Sequence, residues 1–222
     1  MKLYIIRHGQ TEWNSTYRLQ GRTNTQLNEN GRRLAVGTGR GLADVSFDLA
    51  YTSPLARAKE TVRLVLEAQN GGNVRKELRP AVPIVEEERL LEISFGVMEG
   101  QKVRDDNGVL VVENFIRFFN EPERYLPPDE GESFQSLLAR TGDFLEELKQ
   151  KGRAAGDEGG SGNILISTHG AASRALLANI THCPLRDFWS GGVPKNCAVT
   201  IVDLENGDWK IKEQDVLFAR TV

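Results

Sequence analysis

Leu3-Tyr4-Ile5-Ile6-Arg7-His8-Gly9 reads as a short buried strand that stops on two polar side chains and a breaker. Four apolar residues, two of them β-branched, are too few for a helix, and Gly9 turns the chain. The pattern returns late in the sequence, where Asn163-Ile-Leu-Ile-Ser-Thr168 runs into His169-Gly170 and a helix predicted over Ala172–Ile180. Between them, strands are predicted at Phe47–Thr52 and Val82–Val85, alternating with helices at Asn28–Leu42 and Leu55–Ala68. The second helix is expected to start with Ser53 as N-cap and Pro54 in its first turn. Ala198–Leu204 and Trp209–Ala219 flank the turn signal Glu205-Asn206-Gly207-Asp208 and read as a closing hairpin. Strands separated by helices imply an α/β fold, a three-layer sandwich with a mainly parallel sheet and helices on both faces.

The whole chain, 1–222, is expected to form a single domain, a length that buries about 70% of the unfolded surface. From Met98 to Gln150 the alternation gives way to helical segments at about 111–121 and 133–151, joined by the Pro- and acid-rich Glu121–Glu130. This region, about 97–152, is predicted to be a helical cap insertion over the sheet's active edge. Lys151–Gly162, with five glycines, reads as a flexible linker back to the core. A hydrophobic content of 39% and a net charge of −3 suit a globular protein and provide no basic field for nucleic acid or an anionic membrane. No apolar run is long enough to span a bilayer or act as a signal region, and Cys183 and Cys197 form no CxxC. A reducing, cytoplasmic location is expected, with both cysteines as small buried hydrophobes.

Four segments carry ionisable residues at predicted strand ends: Arg7 with His8, Arg57 after Ser53-Pro54, Glu92, and His169. Ligands bind outside the carboxyl ends of strands in open α/β sheets, so these groups are predicted to converge. A neutral imidazole placed there can attack phosphorus or take a proton, and an arginine presents a planar fork suited to phosphate oxygens. Arg57 is the most telling of them. A cation in a helix's first turn opposes the macrodipole, and a bound dianion resolves that conflict. Glu92 lies among Leu90, Leu91, Ile93 and Phe95, an apolar frame that favours the neutral, proton-carrying form and suits a proton donor. Other features have plainer explanations. Gly37-Thr-Gly39-Arg-Gly41 follows no strand and opens no helix, so it is not a dinucleotide fingerprint. Glu86-Glu87-Glu88 reads as a solvated edge, and His182 as a residue ending a helix. Three scattered histidines without HxH or HExxH spacing predict no metal site.

Taken together, Arg7-His8-Gly9 with Asn14, the Gln20-Gly21 loop, Ser53-Pro54-Leu-Ala-Arg57-Ala-Lys-Glu-Thr61, Glu92 through Phe95-Gly96 and Glu99-Gly100, Gly131-Glu132-Ser133, and Thr168-His169-Gly170 resemble the histidine phosphatase superfamily, which includes the cofactor-dependent phosphoglycerate mutases. The resemblance implies that His8 becomes phosphohistidine, that Arg7, Asn14, Gln20, Gly21, Arg57, His169 and Gly170 hold the phosphoryl group, and that Glu92 donates the proton. Ala171 stands where the family often has a second glycine, and Met98 where it often has an aromatic residue, so substrate fit is the property these departures touch.

The reaction implied is metal-independent hydrolysis of a small phosphorylated metabolite, with no cofactor. Two alternatives remain: a phosphoglycerate mutase, and an inactive phospho-ligand-binding module. Glu92 and His169 are 77 positions apart and the chain ends soon after its last predicted strand, whereas the mutases resembling this motif typically carry longer insertions and tails. A site more open to water, and hence a phosphatase, is expected. Arg104, Phe115, Arg117, Phe119, Arg124 and Tyr125 are the cap candidates for lining its pocket.

Overall fold

A computed structural model describes residues 1–70, 81–105, 107–154 and 162–219. Six strands form one sheet: β1 (Lys2–Arg7), β2 (Leu49–Thr52), β3 (Ile84–Glu86), β4 (Asn163–Thr168), β5 (Val199–Glu205) and β6 (Asp208–Val216), in the order β3-β2-β4-β1-β5-β6. The first four strands are parallel, and β5 and β6 join antiparallel through Asn206-Gly207. Strand alternation divides the core between two faces. Tyr4 and Ile6 face α2 (Glu29–Gly41) and α3 (Ala56–Asn70), while Leu3 and Ile5 pack with Phe144, Leu145, Leu148, Leu176 and Leu177 from α5 (Phe134–Ala154) and α6 (Gly170–Thr181). The predicted mainly parallel three-layer sandwich is therefore the fold.

The glycine-rich Gly37–Gly41 segment lies within α2. A Cβ on Gly39 would stand 2.3 Å from the Val65 carbonyl, so the glycine lets α2 press against α3. Asn28 caps α2 by accepting the Gly31 N–H at 2.8 Å.

The predicted cap needs redrawing. Its own elements are α4 (Glu113–Asn120), flanking loops and the start of α5, which share an aromatic cluster of Phe95, Phe115, Phe118, Tyr125 and Phe134. Farther along, α5 packs on the sheet, so it does not belong wholly to an insertion. At 21 residues, about 30 Å long, it serves both the cap and the third layer. Lys151–Ala154 extend this helix, which moves the start of the predicted linker; residues 155–161 of that linker lie outside the described residues. The acidic run is also less uniform than expected. Glu86 is exposed and pairs with Lys59, but half-buried Glu87 caps a short 3-10 helix and pairs with Arg89. His182 is exposed at the left-handed end of α6, as the plain reading predicts. Among the described residues, no helix is long and apolar enough to cross a membrane.

Candidate active site

Sheet register creates the site. Arg7 stands opposite Thr168 and Thr52 opposite Ser167, so β1, β4 and β2 end side by side. The His8 N–H donates to the Thr168 carbonyl at 2.8 Å, and the two histidine rings lie with centroids 5.1 Å apart. His8 is 2% exposed, while His169 and Arg57 are fully buried. The four groups predicted to converge do so: Arg7, His8, Arg57 and Glu92 line one cavity of about 310 Å3, and His169 packs against His8.

Each histidine has a defined role in hydrogen bonding. His8 Nδ1 lies 2.7 Å from the Gly9 carbonyl, which only accepts, so Nδ1 carries the proton and Nε2 keeps its lone pair. Arg57 Nε donates to that Nε2 at 3.3 Å. His169 Nε2 lies 2.8 Å from the Ser53 hydroxyl, and Ser53 Oγ also accepts from the Leu55 N–H. When the Ser53 hydroxyl donates its hydrogen to Nε2, the His169 ring proton sits on Nδ1. Burial, followed by the charges of Arg57 and Arg7, drives the His8 pKa well below the usual imidazole range. Burial does the same to His169, with Arg57, His8, Arg7 and Arg140 adding to it. Both shifts favour the neutral ring at neutral pH.

The arginines are set by the backbone. Arg57 Nη2 and Nη1 donate to the carbonyls of Gly21 at 2.7 Å and Thr23 at 2.8 Å. Burial lowers its pKa to about 10, so it remains charged at neutral pH. Arg7 Nη1 donates to the Pro194 carbonyl. Two polar atoms, Arg7 Nε and His169 Nδ1, are buried here without a partner among the described residues. A buried donor without an acceptor costs about 1–3 kcal/mol, so an anion is the missing partner this site calls for.

Glu92 differs from the expectation. It lies in a loop after the 3-10 helix Glu88–Leu90 and not at a strand end. Its carboxylate meets the N-terminus of α6 instead of an apolar frame: Oε1 accepts from the N–H groups of Ile93 and Ala172 at 3.0 Å each, and Oε2 from Ala171 at 3.1 Å. A Cβ placed on Gly170 would stand 3.6 Å from Glu92 Oε2 and 3.9 Å from Arg7 Nε, so the bare glycine leaves free the space these two groups share.

Other predicted residues are present with modified parts. Asn14 lines the cavity, and its Oδ1 accepts from the Thr11 N–H and from Asn196 Nδ2, which leaves its own Nδ2 as the available donor. Gln20 Oε1 accepts from the hydroxyls of Thr11 and Thr25. Gly21 acts through the carbonyl that receives Arg57. Ser53 is not the N-cap of α3. That helix begins at Ala56, whose N–H goes to Asn24 Oδ1 at 2.7 Å, while the Ser53 hydroxyl meets His169 Nε2 and accepts the Leu55 N–H.

The outer wall is aromatic. Of the six cap candidates only Arg104 and Phe119 line the cavity, together with Trp13, Tyr17, Arg18 and Trp189 from elsewhere. Phe115 and Tyr125 are core, and Arg117 and Arg124 pair with Glu113 and Glu121 on the surface.

A family model described as the histidine phosphatase superfamily (branch 1) matches residues 3–216. The chain belongs to this superfamily. It is 32% identical over 180 residues to the 2,3-bisphosphoglycerate-dependent phosphoglycerate mutase 2 of Gloeobacter violaceus, covering 81% of this chain and 75% of that one. It is 27% identical over 205 residues to phosphoserine phosphatase 1 of Hydrogenobacter thermophilus, covering 92% and 87%. The solved structure of Bacillus stearothermophilus YhfR superposes with a TM-score of 0.79 at 29% identity, covering 99% of each chain.

Around the site of this superfamily member stand supports to which the sequence assigns no role. Thr61 Oγ1 accepts from the Gly9 N–H at 2.9 Å, Asn196 Nδ2 donates to the His8 carbonyl at 3.0 Å, and Glu99 holds the 22–23 turn through the N–H groups of Arg22 and Thr23. Thr61 sits one turn from Arg57, a spacing that places them on one helix face and offered a signal. Asn196 has no local signal.

Proposed function

We propose that this superfamily member is a phosphatase that hydrolyses small phosphomonoesters through a phosphohistidine on His8. The observation that carries the proposal is the pair of buried, unpartnered donors, Arg7 Nε and His169 Nδ1, beside the lone pair of His8 Nε2. A phosphoryl group bound there gains two guanidiniums and an imidazole as ligands for its equatorial oxygens, with Asn14 Nδ2 and Gln20 Nε2 at the rim.

His8 Nε2 attacks phosphorus as the phosphorus–oxygen bond to the alcohol breaks. The departing oxygen takes a proton from Glu92, on Oε2, which accepts only one backbone N–H. Water then attacks the phosphohistidine, its proton passes to the Glu92 carboxylate, the phosphorus–nitrogen bond breaks and phosphate leaves. Arg140 and Arg22 donate to the Glu92 carbonyl at 3.2 and 3.4 Å and both contact Glu132, so the acid is braced from behind. The short span of 77 positions between Glu92 and His169 favours hydrolysis over a mutase reaction, because a less covered site admits water to the phosphohistidine. The unbridged cysteines suit a cytoplasmic enzyme.

The deciding experiment uses p-nitrophenyl phosphate in excess chelator beside 3-phosphoglycerate with a trace of 2,3-bisphosphoglycerate. Release of nitrophenol, with free phosphate exceeding 2-phosphoglycerate in the second reaction, is the expected result. Rapid formation of 2-phosphoglycerate with little free phosphate identifies a mutase, and no turnover of either identifies a binding module.

A further inference from the structure

Beyond the phosphate floor, the pocket carries charge that the proposed chemistry does not use. Arg18 Nη1 donates to the Gly100 carbonyl at 2.8 Å and Arg104 Nη1 to the Gly108 carbonyl at 2.7 Å, but neither is ion-paired with another described residue. Both line the cavity. Among its lining residues only Glu92 bears a carboxylate, and both its oxygens already accept backbone N–H groups. The surface around these arginines is apolar. The Arg104 guanidinium lies 5.4 Å from the centroid of the Phe119 ring, which itself lies 5.2 Å from that of Trp189. Trp13, Tyr17 and Val103 complete this wall. Backbone hydrogen bonds from Val103 N–H to the Tyr17 carbonyl and from Leu19 N–H to the Gln101 carbonyl tie its two sides together.

Charge and polarity select what can occupy this space. An ammonium group would meet two guanidiniums and no free carboxylate, and hydroxyls would lose water against Phe119, Val103 and Trp189, whose N–H is already given to the Phe118 carbonyl. A planar apolar body gains by covering the rings, and a negative group at its far end compensates the arginines. A cavity of about 310 Å3 has room for one ring system and little more. The geometry points to phosphomonoesters whose alcohol is an aromatic body bearing a second negative charge, received by Arg18 and Arg104. This inference rests on the phosphatase proposal and adds the substrate class.

The test compares ethyl, ethanolamine, benzyl and 4-carboxybenzyl phosphates, all alkyl esters, so that an activated leaving group does not decide the outcome. Benzyl phosphate is expected to exceed ethyl phosphate in kcat/KM by about 10-fold or more, and ethanolamine phosphate to fall below ethyl phosphate. The 4-carboxybenzyl ester should exceed benzyl phosphate by about another 10-fold. Arg104→Leu and Arg18→Leu should each cut that last preference at least ~5-fold, mainly through KM, while Arg104→Lys retains part of it. Equal kcat/KM for ethyl and benzyl phosphates overturns the aromatic assignment. A carboxylate that brings no gain, or a preference that survives both leucine variants, overturns the role of the arginines. If the wild-type protein is stabilised by vanadate yet hydrolyses neither these four esters nor p-nitrophenyl phosphate, the phosphatase proposal itself falls.

Discussion

At the floor of the pocket, His8, Arg57 and His169 are buried; the two histidines follow the strand ends of β1 and β4, side by side through sheet register, and Arg57 comes from the first turn of α3. At its wall, Trp13 and Tyr17 come from a one-turn helix and the loop after it, Arg104 from a loop and Phe119 from a two-turn helix, and Tyr17 is 43% exposed. The floor is braced by backbone carbonyls and hydroxyls that a point substitution elsewhere does not move. The wall is braced mainly by contacts between rings. On the proposed function, chemistry rests on groups held by strand ends and backbone carbonyls, and selection on groups from loops and short helices, the usual division between scaffold and loops.

The largest effect expected from this contrast lies at the floor. His8→Ala should lower kcat by roughly 10^4-fold or more while Tm shifts by only a few degrees, because the side chain's own anchor is the adjacent Gly9 carbonyl. Circular dichroism and a thermal melt of the variant check the fold. Collapse of the fold would make His8 a structural residue and erase the distinction between floor and wall.

Glu92→Gln comes next, since this residue joins the two regions. An amide still accepts through its oxygen but has no proton to give, and its NH2 cannot receive the α6 N–H groups that the carboxylate does. Alkyl phosphates, whose leaving groups need the proton, should slow by about 10^2- to 10^3-fold, and p-nitrophenyl phosphate by less than about 10-fold. Equal losses on both esters would remove Glu92 from the acid role and leave it as a brace for the N-terminus of α6.

What could be read in advance follows the same division. Strand ends announce themselves through short β-branched runs, so His8 and His169 were legible, and the opposed helix dipole singled out Arg57. Ser53 was misread because Ser-Pro is a genuine helix-start signal, and nothing local says that a histidine 116 positions away takes the hydroxyl. Glu92 was placed in an apolar frame because its sequence neighbours are apolar, while its true neighbours are N–H groups of α6. Tyr17, with φ of 57°, and Arg18 lie in a loop without periodicity, so no pattern marked them as wall. Phe115 and Tyr125 were placed on the wall by composition alone, but ring packing took both into the core.

The smallest effect concerns stability against pH and tests whether the floor really holds two neutral imidazoles. Burial, with help from Arg57 and Arg7, lowers the pKa of both His8 and His169 in the folded state, while the unfolded value stays near 6.5. Below about pH 6.5 the unfolded chain thus binds more protons than the folded one, so stability should fall on acidification and level off above about pH 7. The slope approaches about 1.4 kcal/mol per pH unit for each histidine until the folded-state pKa is reached. Glu87, whose pKa is lowered mainly by its hydrogen bond from Arg89, loses its contribution only at lower pH, as it becomes protonated, so the window from about pH 5 to 6.5 isolates the imidazoles. Urea midpoints across that window should show a shallower slope in His8→Ala than in the wild type. Added phosphate should flatten the wild-type slope, because a bound dianion favours the imidazolium. An identical slope in wild type and variant, unchanged by phosphate, would mean that burial does not hold the two imidazoles neutral and that the floor does not select an anion.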